Sequence, residues 1–505
     1  MRAANWTEGS EPMPIGPPGR IAARAAPDGR RRWTLLAVLA AALSLVAAPS
    51  CVRPRPEVRP PVALPKAFSA NGEAPLPSRW WTAFGDSELD RLVDEALAGN
   101  FSLRTAWDRL DQAKALAAQS GAALRPTVDV GAGASRSAQR SPATGRLYST
   151  DYSLGVLAGY EVDLWGRIGS THDAARLDVE ATADDLHAAA VTLAAEVAAT
   201  WYLLVEQTSQ LALLDDQIAT NETYLEIITL KFRRGQVSAT DVLQQEQLVE
   251  SNRGERALVE SARCVLEHRL AVLLGRPPGR LTVTVPGDLP SLPPRPHSGL
   301  PAEWVRWRPD VRAAEVRVAA ADRRVAAAVA NQFPRLSLTA GAETSAEKVR
   351  ALFDNWLATL AADLVAPVFD GGRRRAEVER TRAVLSERLN AYGHAVLVSL
   401  EEVEGALTQE AKQTEYVESL EKQLVVSNQA TNQTRENYTA SGLYFTRYLT
   451  TLFAHQRLQR THLQALRELV HFRIDLYRAL AGSWGLARPP EAEAVAADPP
   501  RGDER

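Results

Sequence analysis

Residues 152–167 read YSLGVLAGYEVDLWGR, and two different rhythms meet inside this stretch. Up to Val162, the residues Tyr152, Leu154, Val156, Ala158, Tyr160 and Val162 alternate with Asp151, Ser153, Gly155, Leu157, Gly159 and Glu161. One apolar face backed by a small or polar one, held over about ten residues, is the pattern of a membrane-crossing β-strand. A soluble antiparallel sheet with one wet face produces the same alternation. Beyond Gly166-Arg167 the period changes: Ala190, Val197, Leu204, Leu211, Ile218, Leu225 and Phe232 recur at every seventh position. Such a repeat winds neighbouring helices around one another with a left-handed twist. As one continuous helix, 167–232 reaches on the order of 100 Å at 1.5 Å per residue. No compact domain needs such a rod.

Working outward, the same unit occurs twice. Pro126 ends a helical pattern and opens TVDVGAGA, and Pro334 does so before LSLTAGAE, 208 positions later. Gly166-Arg167 is mirrored by Gly372-Arg373, Gly235 by Gly442, and Leu274-Gly275 by Ala481-Gly482, at shifts of 206, 207 and 207. Each copy reads as helix, strand, strand, long helix, turn and helix. The strands are expected near 127–136 and 151–163, then near 335–343 and 356–368. Val128, Val130, Ala132 and Ala134 form the apolar series of the first, and Leu336, Leu338, Ala340 and Ala342 that of the third. Trp356, Ala358, Leu360, Ala362 and Leu364 form that of the fourth. In the second long helix Val396, Val403, Glu410, Val417, Leu424, Thr431 and Tyr438 keep the seven-residue phase, with a charge at Glu410. The first copy spans 80–276 and the second 302–484. A Pro-rich tether before the first copy, the joining segment 277–301 and the tail 485–505 read as linkers or disorder.

Residues 1–50 form a leader: Arg30-Arg31-Arg32 precede the apolar run from Trp33 to Ala48, followed by small residues and Cys51. That arrangement reads as an export signal. Cys51 stands where a bacterial lipoprotein precursor is cleaved and acylated, opening a lipidated segment 51–79. Ordinary secretory cleavage nearby is the competing reading. Arg53, two residues after Cys51 and not an Asp, is expected to direct sorting outward.

The 505 residues are 45% hydrophobic and 24% charged with a formal net charge of −3, which excludes a generally basic nucleic-acid binder. Cys51 and Cys264 are the two cysteines and belong to no CxxC pair, which disfavours zinc and disulfide frameworks. Cys264, beside Val265, Leu266 and Leu270, is expected to be a buried free thiol. His455, His462 and His471 are spaced by seven and nine rather than four, so they are expected to pack or lie on the helix surface, not to bind metal. No GxSxG, HExxH or Walker-type run is present, and neither enzymatic activity nor a cofactor is expected.

Four strands impose a requirement. An open four-stranded sheet in lipid leaves two rows of unpaired N–H and C=O groups, each costing several kcal/mol. Chains must therefore share a barrel. Two chains give eight strands and a lumen filled by side chains, whereas three give twelve and leave a channel. Gly131, Gly133 and Gly341 are small inward candidates that suit an open lumen.

The duplicated unit, the YEVDLWGR run at Tyr160 to Arg167, the PVFDGGR run at Pro367 to Arg373 and the segment from Gly442 together resemble the TolC/OprM outer membrane efflux family. The chain is most similar to its NodT-type lipoprotein branch, over about Trp80 to Trp484. The resemblance implies a mainly α fold with a membrane β-barrel: a homotrimer sharing a twelve-stranded barrel, four strands per chain, that continues into a periplasmic coiled-coil tunnel. It implies passive export through outer membrane lipid, a periplasmic membrane fusion adaptor and an inner membrane pump of the resistance-nodulation-division (RND) type. It also implies that the turns at Gly235 and Gly442 form the periplasmic mouth, placing the gate near Gln236 to Asp241 and Leu443 to Tyr448. Some relatives carry an acidic residue two positions after the second Gly, whereas this chain has Tyr444. That leaves Asp241 as the nearer carboxylate. Tyr444 and Tyr448 are expected to constrict the aperture with Arg447 paired to an acidic neighbour; packing of Tyr448 between helices is the alternative. Gly166, Arg167, Gly372 and Arg373 are expected at strand-to-helix corners, and Trp165 and Trp356 as interface anchors or packing residues. A pore-free periplasmic coiled-coil lipoprotein, acting as adaptor or scaffold, is the other reading of the whole chain, but it gives no reason for membrane-length alternation.

Overall fold

A computed structural model describes residues 59–143, 145–279, 283–441 and 445–488. The leader, Cys51, Gly442, Leu443, Tyr444 and the tail beyond Arg488 lie outside the described residues. After a short 3₁₀ turn at Trp80–Phe84 come α1 (Ser87–Gly99), α2 (Phe101–Ala122), β1 (Thr127–Ser141), β2 (Gly145–Val162), α3 (Arg167–Arg233) and α4 (Ala239–Leu273). The second copy repeats the last five as α5 (Pro309–Ala330), β3 (Arg335–Ala346), β4 (Leu357–Val365), α6 (Arg373–Ser441) and α7 (Phe445–Leu480).

Helix starts follow their caps. Asp86 accepts from the N–H groups of Glu88 and Leu89 and also from the indole N–H of Trp201 at 2.7 Å, so one carboxylate starts α1 and ties it to α3. Asn100 caps α2 through the N–H of Leu103 and donates to the carbonyl of Leu273 at the end of α4. An aromatic core gathers around these ends. Trp80 stacks on Tyr477 with ring centres 5.7 Å apart, meets Trp81 edge-on, and lies in one cluster with Leu89, Leu92, Trp201 and Tyr202. Each such side chain contributes roughly 1.5–3 kcal/mol on burial.

The long helices are as long as the seven-residue rhythm predicts, 67 residues for α3 and 69 for α6. Their phase differs. In α6, Val396, Val403, Glu410, Val417, Thr431 and Tyr438 are all buried. In α3, Ala190, Val197 and Leu204 are fully buried but Phe232 is 44% exposed, and the buried face passes to Leu214, Gln217, Asn221 and Ile228. A helix that stays near 3.6 residues per turn drifts about 20° per heptad from a strict seven-residue repeat, which is the drift seen here.

The segments expected as linkers are ordered where they are described. Phe68 is buried against Trp304, Val396 and Val403, and the N–H of Ser69 donates to Glu404 at 3.0 Å. Ala74 forms a parallel bridge with Pro296, closed by the N–H of His297 to the Ala74 carbonyl at 2.7 Å. Val283, Val285, Leu289 and Leu292 pack on the main core, and so do Trp484 at the end of the second copy and Leu486 of the tail. Apolar side chains placed between the prolines supply the burial that a free linker lacks. Cys264 also differs from expectation, for it is exposed. The buried residues of α4 include Leu248, Val249, Asn252, Leu270 and Ala271, and six residues of helix place Cys264 about 120° away from Leu270.

Candidate channel wall and hairpin ends

The four strands form one antiparallel sheet in the order β1-β2-β3-β4, so β2 and β3 join the two copies and the outer edges of β1 and β4 have no strand beside them among the described residues. The register decides which residues share a face. Val130 opposes Val156, Val156 opposes Ala342, and Ala342 opposes Ala358; likewise Tyr160 opposes Leu338, and Leu338 opposes Ala362. All four apolar series therefore fall on one side. The other side carries Thr127, Asp129, Gly131, Gly133, Ser153, Gly155, Glu161, Ser337, Thr339, Gly341, Glu343, Thr359 and Asp363, interrupted by Leu157 and, on β4, by Leu357, Ala361 and Val365. A Cβ added at Gly131 would meet nothing within 4 Å. Both faces are open: on the apolar side Val130 is 72% exposed and Leu360 85%, and on the other Leu157 is 52% exposed and Leu357 59%.

The observed strands differ in length from those expected. β1 and β2 run on to Ser141 and back to Gly145, beyond the last β2–β3 row at Tyr152 and Ala346, while β4 is shorter, Leu357–Val365. The extension is polar, so apolar alternation ends before the pairing does. Trp165 lies at the helix end of the sheet, stacked on Phe333 at 4.9 Å with its N–H on the Pro334 carbonyl at 2.7 Å. Trp356, 77% exposed, precedes β4 at the opposite end.

At the first corner Gly166 adopts φ 71°, a left-handed conformation that glycine takes without strain. Asp163, unnoticed in the sequence reading, accepts from the N–H groups of Ile168 and Gly169 at 3.0 and 2.7 Å and so starts α3. Arg167 pairs with Glu161 at 2.8 Å. The second corner repeats the device with Gly371 at φ 64° and Gly372 at φ 85°. There Asp370 accepts from the N–H groups of Gly372 and Arg374, and the ion pair to Asp370 comes from Arg374 while Arg373 is exposed. The signal for both caps was in the spacing, an Asp two or three residues before the corner Gly in each copy.

At the far end of the first hairpin, Gly235 sits at φ 72° and closes α3: its N–H reaches the Phe232 carbonyl, and that of Gln236 the Lys231 carbonyl. Ser238 then starts α4 in a capping box, bonding the N–H of Asp241 while the Asp241 carboxylate accepts from the N–H of Ser238. Asp241 is thus engaged in holding the turn. Tyr448 is buried, not open to a lumen: it stacks parallel to Tyr438, meets Tyr224 edge-on and lies with Ile228, Leu248, Phe445 and Leu452. Its hydroxyl is harder to ionise than a free phenol because of burial first and the hydrogen bond with Tyr224 second. Arg447 is exposed, and no ion pair joins it to an acidic side chain among the described residues. Tyr444 and Gly442 lie outside the described residues.

Between this aromatic end and the main core runs a buried polar seam. Gln217 donates to Gln459 at 2.9 Å, Asn221 to Gln456 at 3.1 Å, and Gln245 to the Asn221 carbonyl at 2.9 Å. Arg460 donates to Gln217 at 2.6 Å and pairs with Glu255. Burial makes Arg460 easier to deprotonate, with Glu255 opposing. Higher up, Glu410, 1% exposed, accepts from Arg473 at 2.7 and 3.0 Å and from Arg295 at 2.9 and 2.7 Å, while Arg473 also bonds the Pro293 carbonyl. Burial alone would raise the Glu410 pKa, but the two guanidiniums hold it below the ordinary glutamate value. Glu410 is the one charge in the second heptad series, and it clasps the inter-repeat segment onto α6 and α7.

With that geometry in hand, comparison with known proteins is decisive. Residues 92–276 and 301–482 match the family described as outer membrane efflux protein. The chain belongs to that family. The two matched stretches coincide with the two copies. OpmQ of Pseudomonas aeruginosa, a pyoverdine export outer membrane protein, is 32% identical over 432 residues, covering 81% of this chain and 89% of its own. Nodulation protein T of Rhizobium leguminosarum is 25% identical over 395 residues, covering 76% of this chain and 84% of its own. Among solved structures, the outer-membrane channel OprN superposes with a TM-score of 0.79 at 28% identity, over 85% of this chain and 99% of its own. The open-state MtrE channel of Neisseria gonorrhoeae gives 0.76 at 26%, over 86% and 98%. The chain is an outer membrane efflux protein of a channel fold, and its family is one of transport proteins, not enzymes.

Proposed function

We propose that three copies of the chain close a twelve-stranded barrel and conduct small molecules passively across the outer membrane, fed by a periplasmic membrane fusion adaptor and an inner membrane RND-type pump. One observation carries the reading. The register puts every apolar series on one face and leaves the β1 and β4 edges bare, and a bare edge cannot sit in lipid. The cheapest partner for β4 of one subunit is β1 of the next. The relatives support a conduit whose cargo is set elsewhere: at similar identity they are named for pyoverdine, for solvents and for toluene.

Cys51 is proposed as the acylated N-terminus, a second hold on the same membrane beside the barrel. The aperture is proposed at the hairpin ends around Gly235 and Gly442, with Tyr444 and Arg447 as the side chains available to it. The polar seam at Gln217, Asn221, Gln456 and Arg460 supports motion there, since amide contacts exchange for water at smaller cost than a packed apolar face. Planar-bilayer recording of the purified protein, with a gel of boiled against unboiled sample, tests the proposal. A heat-modifiable trimer with single-channel current is expected. A stable single subunit in lipid that passes no ions under any stimulus would overturn it, in favour of the pore-free adaptor.

A further inference from the structure

Beyond the last row of the four-stranded sheet, the β1–β2 hairpin continues with its alternation intact but its chemistry changed. On the apolar side the series runs Ala134, Arg136, Ala138 and Arg140 up β1 and Arg146, Tyr148, Thr150 and Tyr152 down β2. On the other side it runs Ser135, Ser137, Gln139, then Leu147, Ser149 and Asp151. All three arginines of the hairpin therefore stand above the lipid-facing band, and its one carboxylate, Asp151, is on the lumen side. A hairpin merely immersed in water has no reason to sort charge this way.

The arginines are also unneutralised. Arg140 lies directly opposite Arg146, a like-charge cross-strand pair that is destabilising on its own. All three are exposed, and no ion pair joins any of them to an acidic side chain among the described residues. On the helices, by contrast, exposed arginines such as Arg91, Arg253 and Arg256 each pair with two carboxylates. Arg136 lies over the ring of Tyr148 with its guanidinium carbon 5.8 Å from the ring centre, leaving the fork edge free. Guanidinium forks match phosphate bidentately.

We infer that this face of the hairpin binds the phosphate groups of a phosphorylated glycolipid in the outer leaflet. Depth supports that class. Arg136 is two residues and Arg140 six residues past Ala134, about 7 and 20 Å along the strand before tilt. A thin glycerophospholipid headgroup layer of about 5–8 Å accommodates the first only, whereas a phosphorylated sugar headgroup reaches both. In the trimer, nine guanidiniums would ring the barrel at the headgroup level, with Tyr152 between them and the apolar band and Tyr148 between the Arg136 row and the Arg140–Arg146 row.

The inference rests on the barrel reading above, with this face outward, and the test separates the two. The purified trimer is equilibrated in vesicles containing equal amounts of a bis-phosphorylated glycolipid and its dephosphorylated counterpart, then extracted, and retained lipid is counted by native mass spectrometry. The wild-type trimer is expected to retain the phosphorylated form over the other by roughly fivefold for each arginine engaged, given about 1 kcal/mol per basic residue at an anionic surface. The variant R136Q/R140Q/R146Q is expected to fall to parity, and R136K/R140K/R146K to keep part of the preference. A heat-modifiable trimer in every variant reports insertion independently, so parity in an inserted wild-type trimer overturns the lipid inference alone. A triple Gln variant that keeps the preference overturns it too, as does complete displacement of the lipid by millimolar inorganic phosphate, which would mark a bare anion site.

Discussion

Replacing Glu410 by Ala should unlatch the segment between the two copies. The carboxylate is 1% exposed and takes four N–H bonds from Arg473 and Arg295. Arg295 is partly exposed and can turn to water, but Arg473 is 3% exposed and would keep the Pro293 carbonyl and the Tyr477 hydroxyl, with no carboxylate to balance its charge. Removing one partner of a buried pair costs about 3–5 kcal/mol, most of it the stranded charge. The double variant E410M/R473M removes both charges and fills the space, and should recover most of that loss, because well-packed apolar replacements of buried pairs are often neutral. Thermal unfolding of the trimer, read from loss of the slow-migrating band, measures both. The pH dependence follows from the same contacts. With its folded pKa held below the ordinary glutamate value, Glu410 contributes stability that is present above the unfolded pKa of about 4.3 and lost as pH falls through the folded value. Wild type should therefore lose this contribution only in acid, and E410M/R473M should lack that limb of the profile. A Glu410→Ala trimer that melts within about 0.5 kcal/mol of wild type, the range of an ordinary surface change, refutes the reasoning.

Other outcomes follow from the two faces and the hairpin ends. Val130→Arg on the apolar face should cost about 2–4 kcal/mol near the bilayer midplane and deplete the assembled trimer, whereas Gly131→Ser one residue along should assemble normally; yields on an unboiled gel distinguish them. Tyr448→Ala should destabilise the hairpin end by about 3–5 kcal/mol through the cavity it leaves, and Tyr448→Phe by about 1 kcal/mol for the hydroxyl alone; equal melting of the two would contradict the packing assigned to this ring. Tyr444→Ala should raise the closed-state current in planar bilayers, and an unchanged current would remove Tyr444 from the aperture. Cys51→Ala should leave no acylated N-terminus in the intact mass of the mature protein.

Most of the wall was legible because both of its rhythms are local. A period of two needs only neighbouring residues to declare a face, and Val128, Val156, Leu338 and Leu360 each fell on the side their own strand predicted. Pairing beyond Arg136 was missed because alternation of apolar residues stops there while backbone hydrogen bonding does not. The aperture was harder for a similar reason. Tyr448 is one of several aromatics at the second hairpin end, and nothing local to it says whether it faces a lumen or Tyr438; the answer depends on Ile228 and Leu248 from the first hairpin.

Glu410 shows where a local rule carries long-range information. Its position in a seven-residue series, between Val403 and Val417, requires burial, and a buried carboxylate requires a cation. So the breach in the pattern predicts a partner, though not which one. The partner turned out to be two arginines, 63 residues ahead on the returning helix and 115 residues behind in a segment rich in proline. Proline there is compatible with order because the segment is held by side chains at its edges, Leu292 in the core and Arg295 on Glu410, not by backbone pairing along its length. A composition rule that equates proline with disorder fails wherever such anchors recur every few residues, and the tether at Phe68 and Ala74 fails it in the same way.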